Sequence, residues 1–222
     1  MAGPRASAGW VGALGREIRR EWGLHQLRDP AWRGLFDPAP ADEWVALHCL
    51  TSDHDAQRAQ LLALVAVPIR GDRVCTSQRL QLPVRPQGPV AEAVLRRHGL
   101  RAQDLAAGVP LDEALRRLLQ CIGPRTLVGY FLDFELAVLN RHVQPLIGVP
   151  LPQPCIDVSA LYHDWQFRQL PPHRQQGGAP IDLRFATLMR TLDLPWRDAQ
   201  DPLGHAVMAA LAFVKLRHLA AA

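Results

Sequence analysis

The side chains that could do chemistry in this sequence are mainly acids, histidines and arginines. The chain of 222 residues holds 21 acidic residues, 9 histidines and 4 cysteines. The cysteines show no C-x-x-C spacing, so they predict reduced thiols and neither a zinc knuckle nor a redox centre. They are Cys49, Cys75, Cys121 and Cys155. The acids are numerous enough to supply the oxygen ligands of a metal-dependent enzyme, provided that they stand at the right positions.

The positive charge is modest and is carried almost entirely by arginine. Lys215 is the single lysine among the 25 basic residues, and the formal net charge is +4. The planar fork of arginine suits phosphate groups, but no segment of the chain is polybasic. The charge therefore permits nucleic-acid binding without arguing for it. A content of 48% hydrophobic and 21% charged residues excludes wholesale disorder and a collagen-like chain.

The elements that must position these side chains follow an α/β order. Apolar or alternating runs at 44–50, 61–69 and 74–84 predict three consecutive antiparallel strands, a meander. Helical patterns follow, and then a strand at 125–131 that leads into a helix at 133–143. A short strand and turn near 154–162, a loop at 169–180 and two helices complete the chain. The prediction is one domain, residues 42–222, with a mixed sheet flanked by helices.

Residues 1–41 are predicted to be a helical extension and linker. Trp10 and Trp22 lie near one face of a helical pattern at 9–27, which suggests a surface for a protein partner. The alternative is that this helix packs on its own domain. The N-terminus does not have the pattern of a signal peptide, and no apolar run reaches the roughly 18 residues of a membrane span. These features predict a cytoplasmic protein with no membrane partner.

The segment VALHCLTSDHD at 45–55 is the first of three motifs that resemble one family. With the order of elements, they resemble the DnaQ-like (DEDD) 3′–5′ exonucleases of the ribonuclease H-like fold over about residues 43–218. Thr51 and Ser52 match the family pattern. His48 and Leu50 occupy the two positions that hold metal-binding acids in the family.

The other two motifs differ from the family in the same manner. In LVGYFLDFELAVL, Tyr130 and Phe131 replace the family's His and Asn, and Glu135 takes the place of an Asp. In AQDPLGHAVMAA, Gln200 stands at the position of the general-base His, and His205 stands at that of the last metal-binding Asp. The resemblance therefore implies the scaffold, while the positions that carry catalysis hold other residues.

The resemblance implies two-metal phosphodiester hydrolysis, which needs carboxylates around two Mg²⁺ ions and a base for the attacking water. Only Glu135 remains acidic among the four acid positions. We therefore predict a catalytically impaired domain, a pseudoenzyme that requires no cofactor. The alternative is an active exonuclease with Mg²⁺ or Mn²⁺ and atypical ligands. Its replacement acids would be Asp53, Asp55, Asp133 and Asp157.

A second alternative for the site is a different metal. The resemblance brings His48, Glu135 and His205 together, and two imidazoles with one carboxylate suit Zn²⁺ or Fe²⁺. The competing interpretation is neutral drift after loss of function.

The impaired domain is predicted to bind single-stranded nucleic acid, a nucleotide or a protein partner. The nucleic-acid contacts would come from Thr51, Ser52, Tyr130 and Phe131. The two aromatic residues would either stack on a base or plug the disused cleft. Trp196 is expected to pack in the core or at a domain edge, and His54 is expected to be a polar loop residue.

Overall fold

The structure is a computed structural model that describes residues 17, 18, 20–176, 180–196 and 201–221. Two residues of the sequence predictions lie outside the described residues: Trp10 of the predicted N-terminal helix and Gln200 at the general-base position.

Six strands in the described part of the chain form one mixed sheet. They are β1 (Glu43–Thr51), β2 (Leu61–Arg70), β3 (Arg73–Val74), β4 (Leu80–Pro83), β5 (Thr126–Gly129) and β6 (Cys155–Asp157). The sheet order is β3-β2-β1-β5-β6, with β4 also paired to β2. β2 runs antiparallel to β1, β3 and β4, while β5 is parallel to both β1 and β6. The predicted mixed sheet with an antiparallel meander is confirmed.

One detail of the meander differs from the prediction. The third strand is divided into β3 and β4 by a 3₁₀ turn at Thr76–Gln78. The short polar side chains of this turn compete for local hydrogen bonds and have no apolar surface to bury, so they favour a turn over a continuous strand.

Nine α-helices accompany the sheet within the described residues, together with short 3₁₀ helices. The first covers residues 20–26 (α1), and a 3₁₀ helix follows at Pro30–Phe36. The others are α2 (Glu92–Arg97), α3 (Ala102–Ala106), α4 (Leu111–Ile122), α5 (Leu132–Ile147), α6 (Val158–Gln169), α7 (Pro172–Gln176), α8 (Phe185–Thr191) and α9 (Pro202–Ala221). The short helix α7 lies inside the stretch that was predicted to be a loop.

The core lies on both faces of the sheet, and β1 shows why. Val45, Leu47 and Cys49 point to one face, where they pack with residues of α4 and α5. Ala46 points to the other face, where it packs with residues of α6, α8 and α9. This alternation is the period-two pattern of a strand that is covered on both sides.

The parallel strands β1, β5 and β6 end at the same edge of the sheet. Helix α5 begins three residues after β5, and α6 begins directly after β6. Gly129 makes the first of these turns possible, because a Cβ at this residue would lie 2.7 Å from Leu132 Cδ1. The side chains that follow these strands therefore meet at one edge, as they do in other α/β sheets.

The segment before β1 packs on the domain. Trp32, Leu35 and Phe36 of the 3₁₀ helix are buried in the same core cluster as Ile147 at the end of α5. The backbone N–H of Arg28 donates to the carbonyl of Ile147 at 2.9 Å. Residues 24–36 thus contribute to the domain that the sequence analysis places after residue 41.

Two large apolar side chains are nevertheless exposed in α1 and shortly before it. Ile18 is 62% exposed, and Trp22, four residues later, is 61% exposed. A protein partner at this helix remains a prediction.

The C-terminal helix is more apolar than the sequence analysis allowed. Among the described residues, one helix, Pro202–Ala220, is long and apolar enough to cross a membrane by length and composition alone. Its buried residues, which include Ala206, Ala209, Phe213 and Leu216, pack with Val65 and Val67 of the sheet and with other residues on that face. This packing is that of a helix in a protein core.

Gly148 provides a test of the docked N-terminal segment. It ends α5 with a φ of +95°, and a Cβ would collide with the carbonyl oxygen of Gln26. We expect Gly148→Ala to lower the free energy of unfolding by about 1–3 kcal/mol, since both the strained φ and the collision oppose it. Urea denaturation measures this change. Gly88→Ala is the control, because its Cβ would have 3.7 Å of room. Equal effects of the two variants would contradict the docking of residues 26–28.

Candidate functional site

Six rings lie in contact at the edge where the parallel strands end, and we call them the aromatic ladder. His48 of β1 stacks on His205 of α9, with ring centroids 4.2 Å apart and planes 24° apart. His205 in turn contacts Phe185 at 4.6 Å. Phe185 lies against Tyr130 at 4.4 Å and against Trp196 at 5.9 Å, and Tyr130 contacts Phe131 at 4.5 Å. The ladder is therefore His48, His205, Phe185, Tyr130, Phe131 and Trp196.

The inner end of the ladder is joined to a buried acid. Glu135 lies in the first turn of α5, is only 5% exposed, and has its Oε1 2.7 Å from His48 Nδ1. Burial raises the pKa of the Glu135 carboxyl, and His48 partly opposes this shift by charge and hydrogen bonding. Its Oε2 has no hydrogen-bond partner within the described part of the chain. The carboxylate is thus buried against one imidazole.

His205 is held in its neutral form. Burial lowers its pKa to about 3, and the neighbouring His48 adds to this effect. A neutral imidazole stacks on other rings without the cost of a buried charge.

The two ends of the ladder reach the surface. Phe131 is 51% exposed and Trp196 is 44% exposed, whereas Phe185 between them is buried. The hydroxyl of Tyr130 donates to the carbonyl of Leu183 at 2.6 Å, and burial raises the pKa of Tyr130 to about 12. Tyr130 therefore belongs to the interior of the ladder, while Phe131 and Trp196 are its accessible rings.

Phe131 has a strained backbone. Its φ of 50° and ψ of 48° lie in the left-handed region, at the residue that precedes α5. Bulky residues rarely adopt this conformation. Strain of this kind costs about 1–3 kcal/mol and is concentrated at functional sites. The strained turn holds the exposed ring of Phe131 beside Tyr130.

Leu50 is an anchor for two helices. It is 6% exposed and forms a small apolar cluster with Leu62 of β2 and Leu105 of α3. Val94 and Leu95 of α2 pack against the same cluster. A position that the resemblance gives to a metal-binding acid thus holds a side chain that fixes α2 and α3 over the sheet.

Asp157 has no free oxygen to offer a metal. Its Oδ2 accepts from the backbone N–H of Leu132 at 2.8 Å, and its Oδ1 accepts from the N–H and the hydroxyl of Ser159 at 2.7 and 2.5 Å. One carboxylate therefore ties the start of α5 to the start of α6, which favours both because helix N-termini attract negative charge.

The polar residues after β1 support the loop at 52–60. Thr51 donates from its hydroxyl to the carbonyl of Asp53 at 3.0 Å, and the hydroxyl of Ser52 accepts from the N–H of Gln60 at 2.9 Å. Asp53 and Asp55 each accept a backbone N–H two residues further on. The predicted contacts of Thr51 and Ser52 with nucleic acid stay predictions.

The residues present do not fit a two-magnesium centre. Such a centre needs several convergent carboxylates, and the predicted positions offer Glu135 alone, whose Oε1 contacts His48. Asp157 is engaged by helix N-termini, and Asp133 is exposed at the start of α5. In the described ranges no group of three or more His, Cys, Asp or Glu side chains could hold a metal ion.

The trio that was proposed for Zn²⁺ or Fe²⁺ does come together, but as a stack. Ligands to one ion must point their lone pairs at a common point. The nearly parallel rings of His48 and His205 direct their in-plane lone pairs side by side, and Glu135 contacts His48 Nδ1. Elemental analysis of untagged protein remains the test of this alternative.

Two rings of the ladder, those of Phe185 and Trp196, were not predicted from the sequence to belong to the site. Phe185 was not singled out, and Trp196 was expected only to pack in the core or at an edge. Both follow the loop at 169–180, where no motif marks them. The only indication in the sequence is that Phe185 and Trp196 lie in the segment that leads to the motif around His205.

Comparisons with known proteins support the same scaffold. No protein-family model matches the sequence, and no curated protein matches it. Several solved structures, however, are similar to this chain. Cell-death related nuclease 4 aligns with a TM-score of 0.62 at 10% identity, over 81% of this chain and 65% of that protein. The zinc-bound ExoI–ssDNA complex from E. coli gives 0.62 at 13% identity, over 80% of this chain and 40% of that one.

The RNase domain of the yeast Pop2 protein aligns over 93% of this chain and 82% of its own length, with a TM-score of 0.58 and 14% identity. Identities this low show the fold alone. The fold is the ribonuclease H-like fold of DEDD-type exonucleases, as the three motifs imply. The chain spans 65% and 40% of the first two of these structures.

The buried His205 predicts a specific loss of stability in acid. Its folded-state pKa of about 3 lies below the ordinary value of about 6.5. The unfolded chain therefore takes up a proton first, so the contribution of His205 is present above pH 6.5 and is lost as the pH falls toward 3. The loss amounts to about 2 kcal/mol at pH 5.

We expect His205→Phe to remove this loss, because phenylalanine keeps a ring in the stack and does not titrate. Urea unfolding at pH 7.5 and pH 5 would show a smaller decrease for the variant than for the parent. Glu135 acts in the opposite direction and is present in both proteins. His25→Phe, at an exposed residue of α1, is the control. Equal decreases in parent and variant would contradict a buried neutral His205.

Proposed function

We propose that this chain is a domain of exonuclease fold that binds single-stranded nucleic acid and does not cleave it. The observation that carries the proposal is the aromatic ladder. It fills the edge where the parallel strands end and where the resemblance places the metal ions, and it exposes Phe131 and Trp196.

We infer the absence of cleavage from the side chains that this edge offers as metal ligands and as a base. Phosphodiester hydrolysis by two metals needs their combined charge and a base that deprotonates water. His48 and His205 bring no negative charge, and Leu50 is committed to the apolar cluster below α2. The sequence supplies Gln200 in place of the base. The two stacked histidines and the buried Glu135 leave little negative charge to attract Mg²⁺.

Binding is supported by the exposed ends of the ladder. An aromatic ring that is half exposed can stack on a base, and such stacking contributes about 1–3 kcal/mol per base regardless of sequence. Phe131 is held in a strained left-handed turn, which a merely solvent-facing residue would not require. The similar fold of E. coli ExoI was solved in complex with ssDNA. A single strand is therefore the ligand that we propose.

Cleavage is tested directly. We expect no Mg²⁺- or Mn²⁺-dependent shortening of 3′-labelled single-stranded DNA or RNA, because the donor set does not hold two metal ions. Gel electrophoresis of the products after long incubation measures this. Metal-dependent shortening that Glu135→Ala abolishes would overturn the proposal in favour of the active exonuclease. Shortening that Glu135→Ala leaves unchanged would point to a contaminating nuclease.

Binding is tested with the two exposed rings. We expect Phe131→Ala and Trp196→Ala each to weaken binding of a fluorescent single-stranded oligonucleotide by about fivefold to a hundredfold, since each removes one stacking ring. Fluorescence anisotropy without added metal measures the affinity. Trp22→Ala is the matched control, since Trp22 is 61% exposed on α1, which docks at the opposite end of α5. Equal affinities for all three variants and the parent would contradict the ladder as the binding surface.

A further inference from the structure

Three side chains that can carry positive charge lie near His48, and we call the four residues together the cationic rim. Arg97 at the end of α2 has its guanidinium Nη1 3.4 Å from His54 Nε2 in the loop after β1. His98 is the C-cap residue of the same helix. The rim is thus His48, His54, Arg97 and His98.

The packing of α2 brings the rim together. Val94 and Leu95 contact the cluster around Leu50, which lies two residues after His48 on β1. Arg97 and His98 follow Leu95 by two and three residues, so this packing brings them near the end of that strand. Burial lowers the pKa of His98, and Arg97, His48 and His54 lower it further by repulsion. His98 therefore lies within electrostatic reach of the other three groups, and Arg97 contacts His54 directly.

The acids near the rim have hydrogen-bond partners of their own, although Asp53 also interacts with the charge of His54, and Asp55 flanks His54 on the other side. Glu135 is buried, and its Oε1 contacts His48 Nδ1. Asp53 lies beside His54 and Arg58, but its Oδ1 accepts the backbone N–H of Asp55, and this bond is the main reason that its pKa is lowered. The guanidinium of Arg97 faces an imidazole nitrogen and not a carboxylate. An external anion would relieve the repulsion among these groups.

We propose that the cationic rim binds the terminal phosphate monoester of a nucleic-acid strand without a metal ion. A monoester carries about −1.5 to −2 charges near neutral pH, more than the single charge of an internal diester. Arginine forms paired charge-assisted hydrogen bonds with such a group, and imidazoles add donors. This inference rests on the proposed function and adds the chemical end group that the site selects.

The ladder and the rim share His48, so one strand can touch both. Three successive ring contacts of 4.2, 4.6 and 5.9 Å lead from His48 through His205 and Phe185 to Trp196. A base would stack on an exposed ring of the ladder while the terminal phosphate lies at the rim.

The experiment compares strands that differ only in their ends. Fluorescence anisotropy at constant salt would measure the affinity of one short single-stranded DNA with two hydroxyl ends, with a 3′-phosphate and with a 5′-phosphate. We expect one phosphorylated form to bind about tenfold more tightly than the hydroxyl form. Arg97→Ala should abolish this preference while leaving the affinity for the hydroxyl form within about twofold.

Arg96→Ala is the matched control, because Arg96 is the neighbouring arginine of α2 and pairs with Glu92 at 2.8 Å. It should leave the preference intact. His98→Asn supplies a second variant, which replaces a rim imidazole with a smaller polar side chain, and it should reduce the preference. Arg97 is exposed, so its replacement leaves the core unchanged.

Three outcomes would overturn the inference, and they are distinguishable. Equal affinities for all three strands, with Phe131→Ala weakening each of them, would refute the phosphate site and leave the proposed function standing. A phosphate preference that survives Arg97→Ala as well as it survives Arg96→Ala would refute the rim as its source. Absence of binding by every strand would refute the proposed function itself, and the inference with it.

Discussion

The pair formed by Glu135 and His48 is the interaction on which the rest of this site depends. A carboxyl group that is 5% exposed requires a polar partner, because burying it alone is costly. His48 is that partner, at 2.7 Å, and its ring is held by the stack with His205. His205 must then be neutral and enclosed, which Phe185 provides. Each ring of the ladder thus supports the one before it, back to a single acid.

The same edge of the sheet is closed on its other side by apolar packing. Leu50 joins Leu62 and Leu105, and through them α2 and α3 are fixed over the end of β1. An acid at position 50 would have to remain hydrated or paired, so it could not serve as this anchor. Leucine at position 50 therefore has two linked effects. It offers no oxygen ligand to a metal ion, and through the apolar cluster it positions the end of α2, with Arg97 and His98, near His48.

The parts of the structure that a short pattern determines were predictable, while those that depend on distant contacts were not. The alternating strands around His48 and the motif that contains Glu135 predicted the sheet and the meeting of His48, Glu135 and His205. Nothing local could reveal that Phe185 and Trp196 would complete the ladder. Trp196 reaches it only through Phe185, and Phe185 packs on Tyr130, which lies on the other side of β6 and α6 along the chain. The sequence also did not reveal that residues 24–36 dock on the domain, because this docking depends on contacts with Gly148 and the end of α5.

A cluster of carboxylates and a ladder of rings place opposite demands on the same fold. Carboxylates at a two-metal centre repel one another and require cations to relieve that repulsion. Stacked rings attract one another. The ladder at the edge of this sheet is therefore held by contacts within the chain, and it leaves Phe131 51% and Trp196 44% exposed. Carboxylates at positions 48 and 205 would repel an anion, whereas imidazoles at these positions do not, so the same edge of the fold can suit ligands of opposite charge.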